Sequence, residues 1–409
     1  MKNIVSRVCH NYNVSRGNLY ETKNSYWSRH ERRRWFFSLI FGTSMVYATR
    51  TSVPLSMPII SKEKSWSKTD SGVILSSFFW GYTLTQVASG YISDRIGGQK
   101  IMWFAALGWA VTTLCLPEVI NIFTDVDYSV PMVATIRAIN GAFQGMHFPS
   151  MISLTSQRLH ESERASFFSL LISGSALGTL LTGSLGSYLL DNYGWAIIFQ
   201  LLVKAEFYNR ERSFLSVRTP CLRKNLNEAC VVAHACQNNC FFVLLSWMPM
   251  YFHDTFPDVK GWLVNMVPWL SMLPCTFLGK AISEKLISSG YSVTSTRKII
   301  QSICFPPFER FNVETFQGAM LCLTLIIGGS GFHSNAVVVN PSDLAPRHSG
   351  SVFGLMNSVG AVPGFLGVYL AGYILHITHS WSVVFIYIAV IDALGCAVYL
   401  AFGGGQAII

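Results

Sequence analysis

An arginine stands in the middle of an apolar run, Val133–Pro149, read VATIRAINGAFQGMHFP. A charge at the centre of a bilayer costs a few kcal/mol on insertion scales, so Arg137 is tolerated only where it faces protein or water. On a helix Gly141, Gln144, Gly145 and Phe148 follow on the same face as Arg137. That face is small and polar, suited to lining a watery path or to letting another helix come close. Its chemistry is anion binding. Arg50 repeats the pattern in YATRTSVP, where Pro54 follows four residues on and offers a place for the helix to open. Tyr47 and Tyr82 in neighbouring runs, and Asn238 in a third, complete the candidate substrate contacts. Asn238, like His234 and Asn239 beside it, also suits interhelical hydrogen bonding. The stripe Phe78, Phe79, Trp80 and Tyr82 reads as packing, with stacking on a base as a second use. Asp392 is an acid in an apolar run, read as a paired structural acid ahead of a proton relay.

Enzyme chemistry has no foothold. There is no HExxH motif among the 10 histidines and no GxxxxGK[ST] loop to hold and hydrolyse a nucleotide, so any nucleotide is cargo. Cys221, Cys230, Cys236 and Cys240 are the one cluster among 10 cysteines, at spacings no zinc site uses. They read as small buried hydrophobes. The sequence implies no metal and no organic cofactor.

The elements that must position these residues are membrane helices. Of the 409 residues 51% are hydrophobic and 12% charged, about half the charge of a soluble domain. The formal charge of +9 lies at the ends of apolar runs. That marks topology and not nucleic-acid binding. Residues 1–34 are polar and basic and end in Arg32, Arg33 and Arg34, which places the N-terminus in the cytosol with the first helix as an uncleaved signal. The Asn13-Val14-Ser15 sequon is discounted on that side.

A span needs about 20 apolar residues. Ten full spans are expected, near 35–57, 72–92, 101–120, 130–155, 166–190, 229–252, 262–282, 316–339, 350–377 and 381–402. The would-be sixth, Trp195–Val203, is interrupted by Lys204 and Glu206, and the ninth, Ile299–Phe308, by Pro306 and Pro307. Both read as stumps in the places of full spans. Lost sequence explains them better than re-entrant pieces. The division is therefore a basic tail at 1–34, a helical half at 35–203, a cytosolic linker at 204–228 and a second half at 229–409.

The two halves repeat. RASFFSLLISGSALGTLLTGSLGSYLLDNYGWAIIF from Arg164 parallels RHSGSVFGLMNSVGAVPGFLGVYLAGYILHITHSWSVVF from Arg347, pairing Phe168 with Phe353, Ser173 with Ser358 and Tyr188 with Tyr373. The turn at Asp94 has a diverged counterpart near Glu284. Such repeats place a transporter's substrate site between the halves near the bilayer midplane.

Asp94-Arg95-Ile96-Gly97-Gly98-Gln99-Lys100 is similar to the loop between the second and third helices of the major facilitator superfamily. SSFFWGYTLTQVASGYISDRIGGQK resembles the organic-anion branch, which holds sialin and the vesicular glutamate and nucleotide transporters. ESERA, GTLLTG, FVLLSWMPMYF, TFPDVKGW, NMVPWL and DLAP are most similar to the nucleotide-transporting member. The resemblance covers most of 35–200 and 229–402. It implies an all-α polytopic fold of two pseudo-symmetric six-helix halves, nominally twelve spans, with the sixth and ninth truncated here. Arg50 and Arg137 match arginines that the branch uses for anionic substrate and chloride dependence. Gln144 and Leu75 stand where glutamate-transporting members carry a glutamate and a histidine, which argues against proton coupling. Asp94, Arg95 and Lys100 would hold the cytosolic gate, with Arg95 paired to Asp94 and helix ends.

The function so implied is potential-driven, chloride-activated transport of nucleotides such as ATP, ADP or GTP into secretory or lysosomal vesicles, by a monomer in the lipid bilayer. The alternatives are another organic anion (sialate, urate, phosphate or an acidic amino acid) or a truncated, non-transporting form.

Overall fold

The computed structural model describes residues 26–123, 126–159, 161–210, 228–304, 315–338 and 349–404. The Asn13 sequon, most of the proposed linker, the Pro306-Pro307 break and DLAP lie outside the described residues, as does the basic entry at Arg347. Every regular element described is helical. The first half holds α1 (Arg29–Glu63), α2 (Lys68–Ile96), α3 (Gly98–Ile122), α4 (Val126–Gly145) and α5 (His147–Arg158). It continues with α6 (Glu161–Leu181), a π-turn at Thr182–Gly186, α7 (Ser187–Tyr193) and α8 (Ala196–Arg210). The second half holds α9 (Glu228–Thr255), α10 (Gly261–Ser288), α11 (Val293–Ile303), α12 (Phe316–His333) with a π-turn at Ser334–Val338, α13 (Ser349–Thr378) and α14 (Trp381–Phe402).

Local sequence fixes the helix starts. Ser28 and Glu31 form a capping box at α1, with Ser28 N donating to Glu31 Oε2 at 2.9 Å and Glu31 N donating to Ser28 Oγ at 3.3 Å. These bonds to the Ser28 backbone and side chain hold the Glu31 carboxyl below its ordinary pKa. Ser67 and Asp70 repeat the box at α2. Contrary to the opening expected at Pro54, α1 stays helical through both Pro54 and Pro58. Its hydroxyls turn back on the helix, as Thr51 does to Tyr47 O at 2.9 Å and Ser52 to Ala48 O at 2.7 Å.

Among the described residues six helices are long and apolar enough to cross a membrane: Gly98–Ile122, Ala229–Thr255, Gly261–Ser288, Phe316–Val338, Phe353–Thr378 and Trp381–Phe402. That is fewer than the ten expected, for two physical reasons. The helices α1 and α2 bury hydroxyls, Arg50 and Gln86 against protein, so their composition is polar although their lengths suffice. The fourth and fifth stretches are interrupted, at Met146 between α4 and α5 and at the π-turn between α6 and α7. The two short stretches do form helices in the bundle. With 15 residues α8 rises about 22 Å, and with 11 residues α11 rises about 16 Å, short of a hydrocarbon core of about 30 Å. The shorter helix is pinned by buried Arg297, whose Nη1 donates to Ser283 Oγ at 3.0 Å and to Asn335 O at 2.7 Å.

The repeat is visible in packing. Within its half α6 packs on α1, and it reaches across to α10. Likewise α13 packs on α9 and reaches across to α2. The turns after α2 and α10 both need a residue in the left-handed region, filled by Gly97 (φ 99) and Gly290 (φ 90). At the end opposite the N-terminus of α1, Lys68 on α2 donates to Asp254 on α9 at 2.6 Å. Beside it Gly72 meets Gly372 and the Trp247 ring, and Trp247 Nε1 donates to Val368 O at 2.9 Å. The halves are thus closed at that end.

Candidate anion and substrate site

Close backbone approach sets the position of the charged helix. A Cβ on Gly141 of α4 would overlap the Phe78 carbonyl of α2, and one on Gly81 of α2 would overlap the Ala138 carbonyl of α4. Gly145 meets Tyr82 and Thr85 in the same way. Of the two uses open to that face, a watery path or the close approach of another helix, Gly141 and Gly145 serve the second, and Phe148 lies beyond the break, on α5.

What remains of the face carries the charge. Arg137 and Arg50 are buried, 3% and 2% exposed. The Arg50 guanidinium carbon lies 4.5 Å from the Tyr47 ring centroid, 4.7 Å from Tyr82 and 4.9 Å from Phe78. Arg137 lies 5.0 Å from the same Phe78 ring. These are cation–π distances. Arg50 Nε also donates to Gln144 Oε1 at 3.4 Å. Gln144 is held in turn by donating to Thr49 Oγ1 at 3.3 Å and to Asn140 Oδ1 at 3.1 Å. No described carboxylate pairs with either arginine. Arg50 Nη1 and Nη2 and Arg137 Nε, all buried, have no acceptor among the described residues. Buried charges in proteins are ordinarily paired. Two like charges with free donors against one ring make this cluster the candidate anion site.

The rings of Tyr47 and Tyr82 separate Arg50 from a cavity of about 90 Å³ between the halves. Its lining carries no Asp, Glu, Lys or Arg. The far wall is a polar network of histidine and amide side chains. His234 Nδ1 and His333 Nε2 are 3.2 Å apart with rings stacked at 5.5 Å. His234 Nε2 pairs with Asn357 Oδ1 at 3.1 Å, and His333 Nδ1 with Gln301 Oε1 at 3.1 Å. Asn357 Nδ2 crosses between the halves, donating to Gln86 Oε1 at 2.6 Å and to Tyr82 Oη at 3.4 Å. Asn238 lines the cavity and donates to Gly360 O at 3.0 Å. The cavity is well below the 300–1,000 Å³ of a typical ligand pocket, so a substrate of that size requires the halves to part.

Arg50, Arg137, Gln144, Tyr47 and Tyr82 come together, and Asn238 faces them across the cavity. The gating residues lie apart from this cluster: Arg95 and Lys100 are exposed, and Arg95 rests over Tyr91 of its own helix at 4.2 Å. Gln86, Asn140, Asn357 and His333 were missed, although each is a polar side chain in an apolar run, the signal that marked Arg137. Asp392 is buried on α14, away from the cavity lining, and its Oδ1 has no partner among the described residues. No cluster of three or more His, Cys, Asp or Glu among the described residues is placed to hold a metal.

The Major Facilitator Superfamily profile matches residues 39–203. The voltage-gated purine nucleotide uniporter SLC17A9 of Mus musculus is 36% identical, over 93% of this chain and 91% of that protein. The chain belongs to the major facilitator superfamily. It lies in the branch that holds these purine nucleotide transporters and related anion transporters. The human SLC17A9 protein is likewise 36% identical. The chloroplastic sodium-dependent phosphate transport protein 1 of Arabidopsis thaliana is 29% identical over 94% of the chain and 81% of that protein. Among solved structures, a bacterial homologue of the human lysosomal transporter Spinster superposes with a TM-score of 0.61 at 13% identity, covering 92% of this chain and 93% of that one. Members of the superfamily and the relatives named are transporters and not enzymes. The match to the mouse protein runs over 411 residues while covering 93% of a 409-residue chain. The mouse protein therefore has residues within the matched region that this chain lacks.

Proposed function

We propose that the chain carries purine nucleotides such as ATP, ADP and GTP across a vesicle membrane, driven by membrane potential, with the arginine pair taking the phosphates. The observation that carries this reading is the unpaired Arg50–Arg137 cluster behind Tyr47 and Tyr82. The 36% identity to purine nucleotide uniporters supports the cargo. A potential of 100 mV is worth about 2.3 kcal/mol per charge moved, enough to concentrate a polyanion strongly. Chloride is the proposed activator at the same arginines. The proposed setting is a secretory vesicle or lysosome, with residues 1–34 cytosolic, 204–228 as the cytosolic linker between halves 35–203 and 229–409, and Asp94, Arg95 and Lys100 at the cytosolic gate. The protein is proposed to act as a monomer.

Purified protein in liposomes is expected to take up labelled ATP when a positive-inside potential is imposed with chloride present. Uptake indifferent to the potential would overturn this reading. Stronger competition by sialate, urate or phosphate than by GTP would move the cargo to another anion. No uptake of any anion would favour a non-transporting form, which the shortness of α8 and α11 makes a specific second reading.

The Lys68–Asp254 contact gives a further prediction. If it seals one end of the path, cysteines at both positions joined by a short bifunctional thiol reagent should stop uptake, and reductant should restore it. Undiminished uptake in the cross-linked protein would show that this end does not open.

A further inference from the structure

The anion cluster lies behind the Tyr47 and Tyr82 wall of the cavity and leaves the opposite wall without a task. On that wall Gln237 is 3% exposed and lines the cavity. Its Nε2 donates to Ser330 Oγ at 3.3 Å, while Oε1 is buried with no partner among the described residues. A buried amide oxygen left unbonded costs about 1–3 kcal/mol, so a ligand donor in the cavity would be favoured there. An amide nitrogen has two hydrogens, and Ser330 uses one. Gln237 can therefore accept through Oε1 and donate through Nε2, side by side.

One helical turn on, Phe241 lines the same cavity from the same face of α9. Its ring is held edge-on to Trp269, at 5.5 Å and 84°. A planar ring with an acceptor–donor pair next to it is the equipment for a flat heterocycle that carries an exocyclic amine beside a ring nitrogen. Glutamine forms that bidentate pair with the amine and N7 of adenine, and an aromatic face supplies about 1–3 kcal/mol of stacking per base. The wall holds no Asp, Glu, Lys or Arg, so it suits the uncharged end of a molecule whose charged end lies at Arg50.

We infer that Gln237 and Phe241 form the nucleobase subsite of this cavity, with Gln237 reading an adenine-type edge. The inference rests on the nucleotide reading of the arginine cluster, but it can be tested without transport. Thermal unfolding of the full chain in detergent is followed with adenosine, inosine or tripolyphosphate. Adenosine carries no phosphate, inosine replaces the amine by a carbonyl, and tripolyphosphate has no base.

Adenosine is expected to raise the melting temperature of the wild type, with inosine needing at least tenfold more for the same shift. Gln237→Leu should lose the adenosine response tenfold or more and keep the tripolyphosphate response, which also shows that the variant is folded. Phe241→Ala should weaken adenosine and inosine alike. Equal responses to adenosine and inosine, no adenosine response in the wild type, or an unchanged one in Gln237→Leu would each overturn the subsite. Loss of the tripolyphosphate response in the wild type alone would instead remove the anion reading, and the adenosine series would still decide this one.

Discussion

Arg137→Ala is expected to abolish nucleotide uptake while leaving the protein inserted and more resistant to unfolding. The two effects have opposite signs because the arginine is uncompensated. Its Nε has no acceptor, no described carboxylate pairs with it, and it shares the Phe78 ring with Arg50. Replacing a buried unpaired charge removes both its desolvation cost and its repulsion from Arg50, so the ligand-free protein should gain about 1–3 kcal/mol. Uptake should fall by about 100-fold or more, because hydrogen bonds to charged groups contribute about 1.5–3 kcal/mol each. Arg50→Ala should fail in the same direction but lose cation–π contacts to Tyr47, Tyr82 and Phe78, which limits its gain in stability. Detergent unfolding curves and liposome uptake on the same preparation check both signs. A less stable variant that still transports would make Arg137 a structural residue.

Gly141→Val is expected to prevent folding of the first half. The added Cβ would run into the Phe78 carbonyl, and Gly81 faces the Ala138 carbonyl from the other side. Backbone meets backbone at both points, so no side chain can turn away. Overpacking that side chains can absorb costs about 1–3 kcal/mol, and this change should exceed that range. Size-exclusion profiles should show little monodisperse protein. Gly72→Ala is the matched control, since its Cβ would meet Gly372 and Trp247 at an ordinary 3.5 Å. Normal behaviour of Gly141→Val would mean that α2 and α4 are less closely apposed than described.

Both results concern residues that the sequence marked, for different reasons. Arg50 and Arg137 were legible because a charge in an apolar run is costly wherever it has no role. Gln144 followed from helical periodicity. Gly141 and Gly145 lay on the right face with two uses left open, since small residues permit water and close packing equally and only the position of α2 decides for packing. The link from Gln86 to Asn357 joins residues 271 apart in sequence, and no local pattern announces such a contact. The long apolar spans of the second half were readable from composition. The first two helices were readable only in outline, because their polar residues face protein. The break at Met146 went unread although Gly145 directly precedes it and Pro149 follows three residues on, because the apolar run continues across it.

The glycine contact between α2 and α4 has a mechanical consequence. With carbonyls pressed against Cα atoms, neither helix can slide on the other without collision, so the two behave as one beam. Phe78, Tyr82 and Gln86 stand four apart along that beam, and α2 also forms the seam with α13. When the seam parts, Arg137 has to travel with it. In the proposed transport cycle the positive charge is thereby built into the moving part itself.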